Sequence, residues 1–322
     1  MKAIVRNTYG SPDVLELQEV EKPDLADDGV LVRVRAASVN RGDWYSLTGT
    51  PYVARMQLGL LKPKTNRLGV DFAGTVEAVG RDVTEFRPGD EVFGGRSGAL
   101  AEYVSVRNAV APKPANLTFE EAAALPVAAI TALQGLRDKA QLQPGQTVLI
   151  TGASGGVGTF AVQIAKALGA EVTAVCRTSN VELVRSLGAD HVVDYTAEDF
   201  TRCGRRFDLM LDVAATKSWS DCKRVLTPEG TLVVVGAKNG NGRVLGPLAH
   251  VAKVRLASIR SSQKVVFFIT KLNKADLAVV RELVEAGKVR PVIDRRYPLA
   301  EVADALTYMG EGHARGKIVV TI

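Results

Sequence analysis

Short apolar or alternating stretches dominate the first third of the chain. They occupy residues 3–5, 30–36, 74–79 and 91–93 and are separated by turn-forming residues such as those at 87–90. Alternation with a period of two is typical of strands that bury one face, and Gly, Pro and Asp between them favour turns. This part of the chain is therefore predicted to form a compact β-rich domain.

From about residue 120 onwards, strand-like stretches alternate with helical ones. Residues 147–151 are a short apolar strand, a glycine-rich turn follows, and apolar residues then recur at helical spacing at Val157, Phe160, Ile164 and Leu168. Further strands are predicted at 171–175, 191–193, 207–212 and 231–236, with a helix at 180–187. Strands that alternate with helices indicate a parallel, doubly wound sheet.

The hydrophobic pattern at the end of the chain again resembles that of its beginning. A helix is predicted at 274–285, a strand around Val292, a second helix at 299–309 and a final strand at 316–322. The simplest α/β architecture inserts one doubly wound domain, residues 123–287, into a β-rich domain made of residues 1–122 and 288–322.

Composition fits a globular protein of two domains. The 322 residues are 46% hydrophobic and 24% charged, and no apolar run approaches the roughly 18 residues that a membrane span requires. Neither a signal peptide nor a membrane partner is expected. The three scattered cysteines, Cys176, Cys203 and Cys222, are typical of a reducing compartment, so a cytoplasmic location is expected.

The net charge of +6 has two interpretations, a nucleic-acid partner or an anionic cofactor or substrate. The basic residues form two loose stretches, one at Lys62, Lys64 and Arg67 and one at residues 202–206. Neither stretch is long or interleaved with several aromatic residues, so nucleic acid is not an expected partner.

The glycine turn is the strongest local signal for a cofactor. Gly152, Gly155 and Gly158 follow the strand at 147–151 in a G-x-x-G-x-x-G arrangement and open the next helix; the strict G-x-G-x-x-G form is absent. Glycines let the backbone approach a diphosphate, and the helix start offers free N–H groups. A dinucleotide site is predicted here, the alternative being a structural turn between strand and helix.

The second strand ends in a stretch that favours NADPH. An acidic residue at this position would hold the ribose 2′-hydroxyl of NAD, but residues 176–180 contain no acid. Arg177 supplies positive charge, and Thr178, Ser179 and Asn180 supply hydrogen-bond donors for a 2′-phosphate. Ser179 or Asn180 is also a candidate cap of the next helix, and both roles can coexist.

Several motifs together resemble the medium-chain dehydrogenase/reductase superfamily, and most closely its quinone oxidoreductase branch, which includes zeta-crystallin. The matching stretches are residues 1–4, 37–40 with Asp43, 68–74, 89–94, 99–103, 123–126 with 131–132, 152–158, 187–190 and 316–320. The resemblance covers almost the whole chain. It implies a GroES-like catalytic domain plus a Rossmann domain, in agreement with the pattern.

The catalytic zinc ligands of the alcohol dehydrogenases in this superfamily have no counterpart in the sequence. Their first position falls near Asn40-Arg41, their Gly-His-Glu motif at Gly69-Val70-Asp71 and their third ligand near Val127. The cysteines of their structural zinc lobe are absent too, because no Cys precedes Cys176. A zinc site needs several converging N, S or O ligands, so no metal is expected.

The resemblance also implies roles for individual residues. Asn40 would bond near the nicotinamide ribose, Thr131 would lie at the nicotinamide end and the Gly236 region would pass beneath the cofactor. The cofactor would be held by Gly152, Ser154, Gly155, Gly156, Val157 and Gly158 at the diphosphate and by Arg177, Ser179 and Tyr195 around the 2′-phosphate. Asp43 and Tyr45 would face the substrate, Tyr45 as an oxyanion donor or proton relay; packing is the alternative for Tyr45, and a structural hydrogen-bond acceptor for Asp43.

The predicted function is NADPH-dependent, zinc-independent reduction of quinones or α,β-unsaturated carbonyls. Without a metal, hydride addition to a conjugated acceptor is easier than alcohol oxidation, because the charge spreads over an enolate or a hydroquinone anion. A zinc-free aldehyde or alcohol oxidoreductase is the first alternative. A cofactor-binding protein with a structural or RNA-binding role, as some zeta-crystallin relatives have acquired, is the second.

Two surface features complete the expectations. Phe267 and Phe268 either line the pocket or belong to an edge strand that pairs in a homodimer, and the second interpretation is preferred. The basic stretch at 51–67 is expected at the pocket mouth, where it would shape access and attract anionic acceptors.

Overall fold

The computed structural model describes residues 1–236 and 247–322. The chain forms two compact units. Unit 1 comprises Met1–Ile130, Lys271–Gly287 and Pro291–Ile322, and unit 2 comprises Thr131–Thr270 and Lys288–Arg290.

Unit 1 is built on a mixed sheet. Its strands are β1 (Lys2–Val5), β2 (Glu16–Glu19), β3 (Val30–Val39), β4 (Asp71–Val79), β5 (Glu91–Gly95), β6 (Tyr103–Val106), β7 (Val110–Pro112), β14 (Ile293–Pro298) and β15 (Lys317–Thr321). The order in the seven-stranded sheet is β14-β15-β3-β4-β5-β7, with β6 on β3, while β1 and β2 form a separate antiparallel pair. Its helices are α1 (Arg41–Thr48), α2 (Arg55–Leu58), α3 (Phe119–Ala123), α9 (Lys274–Glu285) and α10 (Val302–Glu311), and α4 (Pro126–Leu133) begins in this unit.

Strand β3 organises the core of unit 1. Val32 and Val34 belong to one apolar cluster, and Ala37 and Val39 to another, while Arg33 and Arg35 are exposed. Helix α10 packs Val302 and other apolar side chains against the second cluster. The buried strand ends at Val39, so Asn40 leaves the sheet at the start of α1.

Unit 2 is a parallel sheet with helices between its strands. The strands are β8 (Thr147–Thr151), β9 (Glu171–Cys176), β10 (His191–Asp194), β11 (Phe207–Asp212), β12 (Leu226–Val234) and β13 (Lys264–Phe267). Its helices are α5 (Gly156–Ala167), α6 (Val181–Ser186), α7 (Trp219–Arg224) and α8 (Pro247–Ser258), and a π-helical segment spans Gln134–Lys139. The order β10-β9-β8-β11-β12-β13 reads third, second, first, fourth, fifth and sixth along the chain, which is the Rossmann order.

The predicted fold class is confirmed: one unit is β-rich and the other is doubly wound and parallel. The edges of the compact units nevertheless differ from the predicted domain ranges, since residues 123–130 and α9 lie in unit 1. Helix α9 belongs to unit 1 because it packs on β7 and because the Asn116 side-chain amide donates to the Val284 carbonyl oxygen at 3.0 Å. No helix of the described residues is long and apolar enough to cross a membrane.

Candidate active site

In unit 2, the glycine turn joins β8 to α5 with a geometry that requires glycine. Gly152 has φ +63°, and a Cβ added at Gly158 would lie 2.1 Å from the Gly152 carbonyl oxygen. Gly156, Val157 and Gly158 occupy the first turn of α5, where backbone N–H groups have no acceptor within the helix. The close-packed turn and its free donors fit a dinucleotide diphosphate.

A buried side chain connects this turn to the next βα unit. Asn180 donates from its side-chain amide to the Ser154 hydroxyl at 2.9 Å and is only 4% exposed. Asn180 therefore fixes Ser154 beside the turn; its side chain makes no capping hydrogen bond to the helix that follows, so the capping role considered from the sequence is not seen for Asn180. Ser179 and Arg177 are exposed next to it, where an adenosine phosphate would be accessible to both.

The ends of β9 and β10 form a shared polar edge. Tyr195 follows β10, donates its backbone N–H to the Cys176 carbonyl oxygen at 3.0 Å and is 52% exposed. One carboxylate is present here, Asp194, which accepts from the Thr178 hydroxyl at 2.6 Å and from the Thr196 hydroxyl at 2.7 Å. These hydrogen bonds lower the pKa of Asp194 and occupy both of its oxygens within the loop pair. The structure thus adds an acid that the sequence pattern does not single out.

Two further predicted cofactor residues lie in unit 2. The Thr131 hydroxyl is 2.7 Å from the Thr270 hydroxyl. Gly236 follows β12, and a Cβ there would lie 1.8 Å from the Val213 carbonyl oxygen. Asp212 ends β11 nearby: it accepts from the Thr151 hydroxyl at 2.6 Å, its other carboxylate oxygen has no partner among the described residues, and burial raises its pKa.

In unit 1, a hydrogen-bonded cluster forms where β3, β4 and β15 meet. The Asp71 carboxylate accepts from the Ser38 hydroxyl at 2.9 Å, the Asn40 side-chain amide at 2.8 Å and the Val127 backbone N–H at 3.0 Å. The Lys317 ammonium completes the cluster, 2.6 Å from the Asn40 amide oxygen and 3.3 Å from the Asp71 carboxylate. Asp71 and Lys317 are almost fully buried, so each compensates the charge of the other.

Asp43 holds the start of α1 from inside the protein. Its carboxylate accepts the Asn40 backbone N–H at 2.7 Å, and the residue is 3% exposed. Burial, with a smaller effect of the nearby Asp71 carboxylate, raises the pKa of Asp43 to about 7. Asp43 therefore acts as a structural acceptor in the described residues, while its substrate-facing role stays a prediction.

Tyr45 lies one turn of α1 beyond Asn40 and is half-buried. Burial raises the pKa of its phenol, so the group is protonated and able to donate at neutral pH. No described residue hydrogen-bonds the phenol, which leaves it available to a ligand as the oxyanion-donor hypothesis requires.

The zinc-ligand positions named from the sequence converge on the Asp71–Lys317 cluster. Asn40 and the Val127 backbone are both bonded to Asp71, and Val70 precedes Asp71 in the chain. Asp71 is the carboxylate that these positions contact, and the buried Lys317 ammonium neutralises it; the nearby Asp43 carboxylate is bonded to the Asn40 backbone N–H. Zinc prefers several Cys, His or carboxylate ligands, and an ammonium repels a divalent cation, so the residues present do not fit a zinc ion.

Lys317 is a site residue that the sequence pattern does not single out. It lies in the closing 316–320 motif used for the resemblance, at the start of a strand whose next three residues are buried and apolar. A lysine in such a strand needs a buried counter-charge. A lysine within a buried apolar strand is therefore the sequence signal that could have identified Lys317 as a site residue.

Comparison with known proteins identifies the family. The model of the alcohol dehydrogenase GroES-like domain matches residues 26–115, and that of the zinc-binding dehydrogenase matches residues 187–320. The chain is 35% identical to the 2-methylene-furan-3-one reductase of Solanum lycopersicum, over 99% of this chain and 79% of that protein. The chain belongs to the medium-chain dehydrogenase/reductase superfamily. The predicted superfamily is thereby confirmed.

Two further members of the superfamily are similar over nearly the whole chain. The chloroplastic NADPH-dependent alkenal/one oxidoreductase of Arabidopsis thaliana is 33% identical over 99% of this chain and 79% of that protein. The solved structure of a quinone oxidoreductase from Coxiella burnetii has a TM-score of 0.87 and 29% identity, covering 100% of this chain and 99% of that one.

Proposed function

We propose that the protein is an NADPH-dependent reductase of quinones or α,β-unsaturated carbonyls that works without zinc. The observation that carries the proposal is the Asp71–Lys317 pair, which is bonded to Asn40 and Val127 at the zinc-ligand positions and so leaves hydrogen-bond donors and no binding site for a Lewis acid. The names of the relatives, an alkenal/one oxidoreductase and a quinone oxidoreductase among them, support the same substrate class.

The glycine turn and the edge at the end of β9 form the proposed NADPH-binding site. The first-turn N–H groups of α5 would bind the diphosphate, and Arg177 and Ser179 would bind the 2′-phosphate beside Tyr195. Thr131 and Gly236 would line the nicotinamide half. NADPH, when bound, supplies the hydride.

The residues of unit 1 would orient and stabilise the acceptor. Asn40 has its amide oxygen fixed by Lys317 and one amide N–H by Asp71, which leaves its second N–H for a ligand. Tyr45 would donate to the acceptor oxygen as negative charge develops there. A donor fixed in advance is worth most in a site where charge forms in the transition state.

A pair of related acceptors tests the substrate class. We expect NADPH consumption with 1,4-benzoquinone and with trans-2-hexenal, and hexanal as the product from hexenal. Hexanal itself is the matched control, since it lacks only the conjugated double bond and should be a poor acceptor. Efficient reduction of hexanal, or formation of hexenol from hexenal, would favour the aldehyde reductase alternative. Activity should survive EDTA, and its loss would contradict the zinc-free mechanism.

We also propose that the protein is a cytoplasmic homodimer that pairs through β13. Strand β13 pairs with β12 on one side and is the last strand of the sheet among the described residues; Ile269, just after it, is 74% exposed. An open edge beside an exposed apolar side chain is a typical pairing surface. Phe267 packs partly into the core of unit 2 instead.

Matched isoleucine variants test the dimer. Size-exclusion chromatography with light scattering should give a dimer for the wild type and a monomer for Ile269→Asp. Ile259→Asp, at a site 72% exposed at the end of α8, should stay dimeric. A wild-type monomer would overturn the proposal. For the location, retention of a fluorescent fusion in the soluble cytosolic fraction is the expected result.

A further inference from the structure

Unit 1 contains a cavity of about 930 Å³ that the proposed reaction does not use. It is bounded by residues 6–7, 23–26, 62–67, 96–98, 103–105 and 107, all of them in unit 1. Asn40, Asp71 and Lys317 are not among its lining residues. Its volume lies within the roughly 300–1,000 Å³ typical of small-molecule sites.

The cavity wall is strongly basic. Six cationic side chains line it, and Asp24 is the single carboxylate on the wall. The six are Arg6, Lys62, Lys64, Arg67, Arg96 and Arg107. Cations that converge on a concave surface concentrate the positive potential there and attract anions.

Most of these cations have no counter-charge in the protein. Arg107 has one, because its Nε lies 3.1 Å from an Asp28 carboxylate oxygen. Lys62, Lys64, Arg67 and Arg96 form no ion pair with any residue that the structure describes. Because these four cations line one cavity whose wall carries a single carboxylate, the protein leaves the positive charge there unbalanced.

Arg6 is the most informative of the six. It is 2% exposed, its Nη2 donates to the Ser46 hydroxyl at 3.0 Å, and its buried Nε has no acceptor among the described residues. Burial lowers its pKa. A buried guanidinium with an unsatisfied donor is unfavourable unless an acceptor with negative charge is present.

Neutral hydrogen-bond donors and a glycine backbone also belong to the cavity wall. The Ser97 and Ser105 hydroxyls and the Asn66 side chain belong to the wall, and Gly98 has φ +94° beside Arg67. Guanidinium and ammonium groups mixed with hydroxyl donors are the chemistry that recognises phosphate oxygens. Four unpaired cations exceed what one singly charged anion can balance.

We propose that this cavity binds a small anion that carries two or more phosphate groups. The cavity shares no residue with the proposed NADPH site, whose diphosphate-binding residues belong to unit 2. It also differs from the Asn40 cluster in its lining: Asn40, Asp71 and Lys317 do not line the cavity, although Arg96 on its wall donates its backbone N–H to the carbonyl oxygen of Val70, the residue before Asp71.

The test uses inorganic pyrophosphate as the probe. The protein is first saturated with NADP⁺, so that the proposed diphosphate-binding site of unit 2 is already occupied. Isothermal titration calorimetry at constant ionic strength should show saturable binding to the wild type, and binding of orthophosphate at least about tenfold weaker. Lys64→Ala/Arg96→Ala removes two exposed cations and should weaken pyrophosphate binding about 100-fold, from roughly tenfold per lost charge-assisted contact.

A control variant with the same change in net charge distinguishes a specific anion site from general electrostatic attraction of pyrophosphate to the protein. Lys253→Ala/Arg206→Ala removes one lysine and one arginine from the exposed surface of unit 2 and should leave pyrophosphate affinity within about threefold of the wild type. Equal weakening in both double variants, no saturable heat with the wild type, or equal affinity for orthophosphate would each overturn the proposal. NADP⁺ affinity should be unchanged in both variants, which keeps this result independent of the proposed reductase activity.

Discussion

The Lys317 ammonium donates to the Asn40 side-chain oxygen across 2.6 Å, although 277 residues separate the two in the chain. The same ammonium lies 3.3 Å from the Asp71 carboxylate, and Asp71 in turn accepts from the Asn40 amide. The three side chains form a closed triangle in which the orientation of Asn40 is fixed from both ends. Asn40 is therefore presented to a ligand in one orientation.

Lys317→Met should destabilise the protein by about 3–5 kcal/mol, because it leaves the Asp71 carboxylate buried without its partner. Urea unfolding monitored by circular dichroism measures this loss. Lys2→Met is the matched control, since Lys2 is exposed on β1 and should change stability little.

A double variant distinguishes the charge from the packing of Lys317. Asp71→Asn with Lys317→Met removes both charges and should be more stable than Lys317→Met alone. If the double variant is the less stable of the two, the buried ion pair is not the reason for the effect of Lys317→Met.

The raised pKa of Asp43 predicts a pH dependence of stability with a definite sign. The carboxyl titrates near 7 in the folded protein and near 3.8 when unfolded, so between these values the folded state binds the extra proton. The stabilising contribution of Asp43 is therefore complete below about pH 4 and is lost as pH rises to about 7. Within this window the slope approaches about 1.4 kcal/mol per pH unit.

Asp43→Asn isolates this contribution. The wild type should lose stability relative to Asp43→Asn as pH rises through the window, measured by urea unfolding at several pH values. Asp304→Asn is the control, because Asp304 occupies the first turn of α10 as Asp43 does that of α1, but is exposed. A constant difference between the wild type and Asp43→Asn across the window would rule out the raised pKa.

The sequence predicts the doubly wound unit well because its signals are local. Strand β8, the glycine turn and α5 follow one another within about twenty residues, and the predicted strand at 147–151 agrees with β8 to the residue. The short helix α7 was not predicted, although Ser218 and Asp221 form a capping box at its start. A helix of six residues is too short to show apolar periodicity.

The polar centre of unit 1 was predicted only in part, for a physical reason. Asn40 and Asp43 were identified because they lie in one motif, but their partners Asp71 and Lys317 come from distant strands that meet only when the sheet forms. Register between β15 and β3 decides this meeting, and register is a tertiary property. The predicted roles of the site residues remain predictions.

Gly158→Ala should greatly weaken NADPH binding. An added Cβ would lie 2.1 Å from the Gly152 carbonyl oxygen, so the turn has to move away from the geometry that offers its N–H groups to the diphosphate. Fluorescence titration with NADPH should show at least a tenfold weaker affinity, the equivalent of about 1.4 kcal/mol. Gly42→Ala, where nothing lies within 4 Å of the new Cβ, is the matched control and should bind normally. Unchanged affinity in Gly158→Ala would place the diphosphate elsewhere.

Arg177→Ser should reduce the preference for NADPH over NADH. Arg177 is exposed at the end of β9, beside Ser179, where a 2′-phosphate would form charge-assisted hydrogen bonds worth about 1.5–3 kcal/mol. We therefore expect kcat/KM for NADPH to fall about 10- to 100-fold, with kcat/KM for NADH nearly unchanged. Arg206→Ser, which removes an exposed arginine outside this edge, should leave both values as in the wild type. Because Asp194 already lies at the same edge with both oxygens bound by Thr178 and Thr196, a further Thr178→Val change should free a carboxylate oxygen and raise NADH use. An equal fall for both cofactors in Arg177→Ser would show that Arg177 does not contact the 2′-phosphate.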